Sequence, residues 1–462
     1  MTLFVNGRGA AAPWCIPLFA LLVACGGDDS EASATDVGDS TSATAGEEAP
    51  LTYWQDVAPI YYARCVTCHQ AGGIAPFRLD DYAAAEPWAA ASASAVAART
   101  MPPWLVTDDG SCGSFEGSRA LSAEEIDAIE GWAAAGAPEG EPRTDLALPQ
   151  IEVLADAITY ETPSFVPEAE GGDLAAFDEY RCFRVETGLT ADRFLTGYSV
   201  EPGVAAMIHH VLVVIVDPET PGAGGVKNKD LITALDAESP DRDGWPCFGA
   251  AGEGVQPRGI PVSWAPGQGI SELPAGTGYR MTKDDWMIVQ VHYNLTDDAL
   301  AGVEDKTAVH VRYADSVERE GHFFLPDDLL NSLATGDPVQ LAPGEASVEY
   351  SFDFKLADFL PHHGAQTGEL LGIFPHMHQY GRKLKVELVE GAAAPRCAAD
   401  VQRWDFDWQL YYFYQQPLPL TIDSKLRITC NYDTRSAVDP VLPGWGTNNE
   451  MCLAGVFIVP DP

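Results

Sequence analysis

From about residue 149 onward the chain is written in short runs that either alternate polar with apolar or are wholly apolar, cut by Gly, Pro and Asp. Ile208 to Val216, Met287 to Tyr293, Val348 to Phe354, Leu426 to Cys430 and Gly455 to Val459 are examples. This rhythm predicts strands packed as β-sandwiches. Ahead of it the period changes. Trp54, Val57, Ile60 and Tyr61 repeat at helical spacing. Ser122 with Glu125 makes a capping box that opens a helix through Ile126, Ile129 and Trp132, ended by Gly136. The expected fold class is multidomain, a small all-α unit over 51–145 followed by all-β sandwiches to the end.

The first 24 residues have another pattern. Arg8 stands in a short polar lead, an apolar run extends from Pro17 to Ala24, and Leu22-Val23-Ala24-Cys25-Gly26 follows. A small residue before cysteine resembles a bacterial lipoprotein signal, with Cys25 the lipidated first residue of the mature chain; an ordinary cleaved signal is the alternative, and both export the protein. Residues 25–50 carry Gly, Ser, Thr, Ala, Asp and Glu with almost no large apolar side chains, too little to fold, so a flexible tether is expected. The expected location is the periplasm or cell surface of a Gram-negative bacterium, with membrane contact only through the lipid. A net charge of −41 excludes nucleic acid and anionic lipid head groups as partners and favours cationic ones.

Candidate chemistry begins with Phe374-Pro375-His376-Met377-His378-Gln379-Tyr380-Gly381-Arg382-Lys383. Residues i and i+2 of a strand share a face, so His376 and His378 can reach one metal. Lys383 to Glu387 alternates as a second arm, and Gln379 to Arg382 supplies a turn, which predicts a hairpin with the histidine pair at its tip. His209 and His210 open the apolar strand around Val211, His292 lies in Val291-His292-Tyr293, and Met451 offers a thioether. Imidazole suits copper and zinc, whereas thioether selects reduced copper. His310 is expected to point outward from a strand, and His322, His362 and His363 to sit near turns or loops. No Gly-rich phosphate loop and no Gly-x-Ser-x-Gly elbow occurs, so nucleotide chemistry and serine hydrolysis lack support.

Cys65-Val66-Thr67-Cys68-His69 is a Cys-x-x-Cys-His run, in which two thiols bond haem covalently and the histidine ligates its iron. A zinc or thioredoxin-like pair would need a second cysteine pair or a strand-to-helix setting that is missing. Helix, haem motif, helix resembles a small c-type cytochrome. Between Leu51 and Gly140 there is no other histidine, no lysine, and one methionine, Met101, in a proline-stiffened loop. Met101 is the candidate sixth ligand; a core methionine beside open or water-bound iron is the alternative.

The order His-His, Val-His-Tyr, His-x-His, Glu-Met-Cys resembles the copper type II, ascorbate-dependent monooxygenases, the family of the peptidylglycine-hydroxylating and dopamine-hydroxylating enzymes. The resemblance implies two jelly-roll-like sandwiches, here 150–325 and 326–462, facing each other across a solvent-filled cleft with one copper on each. His209, His210 and His292 would hold an electron-storing copper; His376, His378 and Met451 would hold the copper at which dioxygen binds and a substrate C–H bond is broken. The net reaction implied is substrate C–H plus dioxygen plus two electrons giving hydroxyl and water. Ascorbate supplies the electrons elsewhere in the family; another one-electron donor, a redox protein or the fused haem itself, could do so here. If the haem does, its edge is expected beside the His209/His210/His292 copper.

Of the ten cysteines, setting aside Cys15, Cys25, Cys65 and Cys68 leaves six, an even number for an oxidising compartment, with pairing open from spacing alone. The resemblance implies Cys182 with Cys247 and Cys430 with Cys452, and leaves Cys112 and Cys397 unassigned. The chain also departs from the family. Phe374 stands where peptide-hydroxylating members have a carboxylate-anchoring arginine, and Cys452 to Gly455 lack the peptide-binding Asn and Tyr. With Phe374 beside the His-x-His pair and with Leu453 and Trp445 near Met451 in sequence, an apolar or aromatic substrate is expected. The alternative function is a non-catalytic haem and copper lipoprotein.

Overall fold

The computed structural model describes residues 50–71, 75–149, 154–169, 178–247, 250–266, 268–295, 298–326, 328–332, 336–406, 408–444 and 448–462. The export signal, Cys25, nearly all of the tether and Trp445 lie outside them. Among the described residues no helix is long and apolar enough to cross a membrane.

The helical unit follows from its apolar spacing. A π-turn at Tyr53–Val57 runs into the helix Ala58–Arg64, and Ala89–Ala97 packs against Ala123–Ala134. Tyr53, Val57, Tyr61, Ile126, Ile129 and Trp132 form its core. Ser122 accepts from the Glu125 amide while Glu125 accepts from the Ser122 amide, and Gly136 takes the left-handed conformation past the helix end.

Between those last two helices the chain leaves the unit. Val106 bridges Val401, Phe115 bridges Tyr414, and Leu105, Val106 and Phe115 are buried in the core of the C-terminal sandwich. Cys112 and Cys397, unassigned by sequence, form a disulfide across this junction, 285 residues apart in the chain. The helical unit is thus attached to the sandwich of His376, His378 and Met451. Leu105 and Phe115 supply an apolar wedge whose complement is the Tyr412/Tyr414 face. Replacing Cys112 and Cys397 together with serine should cost about 5 kcal/mol by loop entropy, read as a lower denaturant midpoint against the parent protein.

Three sheets build the rest. A five-stranded antiparallel sheet orders Trp245–Pro246, Asp178–Val185, Trp286–Asn294, Ile208–Val216 and Gly259–Trp264. The strand Ile208–Val216 is apolar from Val211 on because both faces are covered: Val211, Val213 and Ile215 enter one core, Val214 and Val216 the other. The Cys182–Cys247 disulfide lies in the second core. A four-stranded sheet of Val348–Lys355, Ser424–Tyr432, Gly381–Glu390 and Arg396–Val401 covers the C-terminal half.

The third sheet has nine strands and runs through both halves. Arg319–Phe324 is the joint, parallel to Thr277–Met281 on one side and antiparallel to Leu453–Pro460 on the other. Gly321 is required there by close approach, since a Cβ would fall 2.1 Å from the Phe457 ring. His322 therefore lies within a strand, opposite Ile458, and not near a turn as its Gly neighbour suggested. His310 does face outward, between Thr159 Oγ1 at 2.9 Å and Glu201, and His362 and His363 lie on the exposed turn Leu360–His363.

The hairpin predicted around the histidine pair does not form. Thr367–His376 pairs with Leu453–Pro460 and Tyr412–Thr421, whereas Gly381–Glu390 pairs with Ser424–Tyr432 and Arg396–Val401. Residues 377–380 instead arch from one sheet to the other. Met377 is buried in the core beneath, and Gly381 lets the arch close, because a Cβ there would lie 2.8 Å from Met377 and from Trp404. Period-2 alternation is the same for hairpin and arch, so the pattern could not distinguish them.

Candidate metal centre

His210 and His292 are register partners on adjacent strands, and a bulge between Ile208 and His210 interrupts the ladder. Consecutive strand residues normally face opposite ways; the bulge lets His209 and His210 converge. His209 Nδ1 lies 3.1 Å from His210 Nδ1, which lies 3.3 Å from His292 Nδ1. Among the described residues these are the group of three metal-ligating side chains within metal reach of one another.

Their surroundings fix the rings. Tyr180 stacks on His292 at 3.9 Å, and Gln290, two residues before His292 on the same face, donates to the Ala250 carbonyl at 2.8 Å. Asp178 Oδ1 is 3.2 Å from His292 Nε2, off hydrogen-bond alignment, a carboxylate that favours the proton on Nε2 and the lone pair on Nδ1. Burial first, then neighbouring histidines, hold His210 and His292 well below the ordinary imidazole range. They are neutral, which is the form that binds metal.

The second set is built at the arch. His376 ends its strand and His378 follows one residue beyond, their rings perpendicular at 5.1 Å. His376 Nδ1 pairs with Gln409 Oε1 at 2.9 Å and His378 Nδ1 with the Asn449 carbonyl at 3.0 Å, which puts each proton on Nδ1 and each lone pair on Nε2. Burial, then His378, pushes His376 down to about 3. Met451 is buried against the same cavity; the Tyr432 hydroxyl donates to its carbonyl at 2.7 Å, and the Cys430–Cys452 disulfide braces the next residue.

Glu450 joins the arch to the methionine. Wholly buried, it accepts from the amides of His378 at 2.9 Å and Tyr380 at 2.7 Å, with the Met451 amide at 3.3 Å. Burial pushes its carboxyl up to about 8 against the pull of those amides. Backbone that has left both sheets must find acceptors elsewhere, and this carboxylate is the acceptor. Sequence reasoning passed over Gln409 and Asp178 and gave Glu450 no role beyond its place in the Glu-Met-Cys motif; Gln290 had a signal in its i−2 spacing from His292.

One cavity of about 70 Å³ is lined by His210 of the first set and by His376, His378 and Met451 of the second. Phe406 stands between them, its ring 5.2 Å from His209 and 6.0 Å from His378. The expected solvent-filled cleft is here a small pocket, because an aromatic ring and aliphatic side chains occupy the gap.

In the helical unit, Cys65 and Cys68 are unpaired thiols, Cys65 pushed up to about 12 by burial. His69 Nδ1 lies 3.1 Å from the Phe77 carbonyl, and its ring packs on Phe77, which stacks on Trp88. Met101 is 38% exposed, which is not the place of a core methionine.

One set offers three imidazole nitrogens and the other two imidazoles on the cavity that Met451 also lines; imidazole suits copper and zinc, and a thioether selects reduced copper. Residues 350–459 match the family described as copper type II ascorbate-dependent monooxygenase, C-terminal domain, and that span holds His376, His378 and Met451. Among solved structures, the chain is similar to the infectious bursal disease virus Gt strain, at 11% identity over 66% of this chain and 70% of that one, TM-score 0.15. Allantoicase follows at 10% identity over 60% and 77%, TM-score 0.15; likenesses this low carry no argument.

Proposed function

We propose that this chain is an exported copper-dependent monooxygenase that hydroxylates a C–H bond of a small organic substrate with O2, drawing electrons through a haem bound by its own helical unit. The observation that carries it is that one cavity is lined by His210 of the first donor set and by His376, His378 and Met451 of the second, the latter inside the segment that matches the family's C-terminal domain. Copper at these ligands would supply electron storage and dioxygen chemistry for R–H + O2 + 2 e⁻ + 2 H⁺ → R–OH + H2O. The chain's own part is to hold the imidazoles neutral, fix the tautomers of His376 and His378 through Gln409 and Asn449, and restrict water to a small apolar space.

The helical unit suits a covalent haem. Its two thiols stay unpaired in a chain that has three disulfides, and the Phe77 carbonyl at His69 Nδ1 leaves the lone pair on Nε2, where iron would bind. Met101 is proposed as the sixth ligand. The three disulfides favour an oxidising compartment, consistent with export and with lipidation at Cys25. Ascorbate or a redox protein would serve as the outer donor.

The test is anaerobic: two equivalents of Cu(II) are added to full-length ferrous protein with empty copper sites, while the haem spectrum and the Cu(II) EPR signal are followed. Two bound coppers with oxidation of the haem are expected. Bound copper with haem that stays reduced moves the donor outside the chain, and failure to bind copper overturns the monooxygenase reading.

A further inference from the structure

Outside the two donor sets, another pair of imidazoles meets at the surface. His322 stands on the strand Arg319–Phe324 that joins the halves, and His363 ends the turn Leu360–His363. Their ring centroids are 3.9 Å apart and the planes are tilted by 35°. Phe359 flanks both, at 6.2 Å from His322 and 4.6 Å from His363. His322 is half-buried and His363 exposed, so an ion from solvent can reach the pair.

Other histidines have work for their nitrogens. His310 is held by Thr159 and Glu201, and His69, His376 and His378 each pair Nδ1 with a protein oxygen. The ring nitrogens of His322 and His363 have no hydrogen-bond partner among the described residues. Glu320, two residues before His322 on the same face, is paired with Arg280 at 2.7 Å, and Arg258 with Asp285 at 3.1 Å, so the charges that face the pair offset one another. Burial, then His363, pushes His322 down to about 4, and burial lowers His363 as well. Both are neutral imidazoles at neutral pH, the form that binds metal.

We propose that His322 and His363 hold a divalent first-row transition-metal ion at the surface, in a site outside both donor sets, with water completing its shell. Two nitrogens each about 2.0–2.1 Å from one ion are at most about 4 Å apart, and tilted rings with 3.9 Å between centroids can present nitrogens within that span. Imidazole suits copper, zinc and nickel, and copper(II) binds tightest of the series. A net charge of −41 draws a cation toward the chain. With only two protein ligands this site is weaker than the interior sets and fills after them. An ion there ties the turn to the strand that joins the halves, and so favours the folded chain.

The test is equilibrium dialysis of full-length protein against buffered Cu(II), carried beyond two equivalents, with the parent beside His363→Gln and His322→Gln. The parent is expected to take up one ion per chain more than either variant, whose affinity at this pair should fall roughly a hundredfold, since even outer partners of a metal site are worth tenfold or more. His310→Gln, whose ring already has partners, should keep the extra ion. Copper should also raise the melting temperature of the parent above that of His363→Gln. Equal uptake by the parent and His363→Gln, loss of the ion in His310→Gln, or no copper-dependent difference in melting would each overturn the inference. His363 is exposed on a turn, so its variant decides the matter even if His322→Gln does not fold. The difference between parent and variant reads this pair, and the count left in the variant reads the interior sets. A chain that binds copper at this pair and nowhere else defeats the monooxygenase reading alone.

Discussion

Replacing His210 with alanine is expected to reduce copper uptake from two ions per chain to one, with sulfur in the first shell of the ion that remains. His210 is the middle ligand, its Nδ1 3.1 Å from one partner and 3.3 Å from the other. Without it two nitrogens remain, on different strands, and affinity should fall by at least roughly a hundredfold, since even outer partners of a metal site are worth tenfold or more. Met451→Ile is the mirror experiment, because it removes the thioether while keeping an apolar side chain of similar bulk. That variant should lose the sulfur signature in X-ray absorption and keep the three-nitrogen site. If both variants retain two coppers with unchanged spectra, copper is not held by these residues.

The second large effect is expected at Glu450, which binds no metal itself. Glutamine has the same shape, but in place of one carboxylate oxygen it turns an NH2 toward backbone N–H groups, so at least one buried donor loses its acceptor. That should cost about 2 kcal/mol of stability and lower copper affinity at the His376, His378 and Met451 site roughly tenfold to a hundredfold, leaving the other site unchanged. Denaturant titration and competitive copper titration measure the two effects separately. A variant that loses stability but keeps its copper affinity would show that Glu450 braces the arch without placing the ligands.

The chain order alone made much of this fold legible. Ser122 and Glu125 cap the helix they were expected to cap, and Ile208 to Val216 and Met287 to Tyr293 are strands with their histidines where the pattern placed them. Such features depend on a few consecutive residues, and backbone stereochemistry acts at that range. The capping pair, the apolar strand cores, the ligand residue types and the unpaired Cys65 and Cys68 were all determined by sequence.

What tertiary structure decided involves residues far apart in the chain. Whether the strand before His376 turns back as a hairpin or arches to the other sheet depends on which edge offers hydrogen bonds, and Leu453–Pro460 and Ser424–Tyr432 settle that from some seventy and forty residues away. The partner of Cys112 depends on Phe115 finding Tyr412 and Tyr414. Glu450 acquires a role only when the arch delivers the amides of His378 and Tyr380 to it. Local pattern reports which face a side chain takes; what waits at that face is fixed by burial and by the need of every buried polar group for a partner.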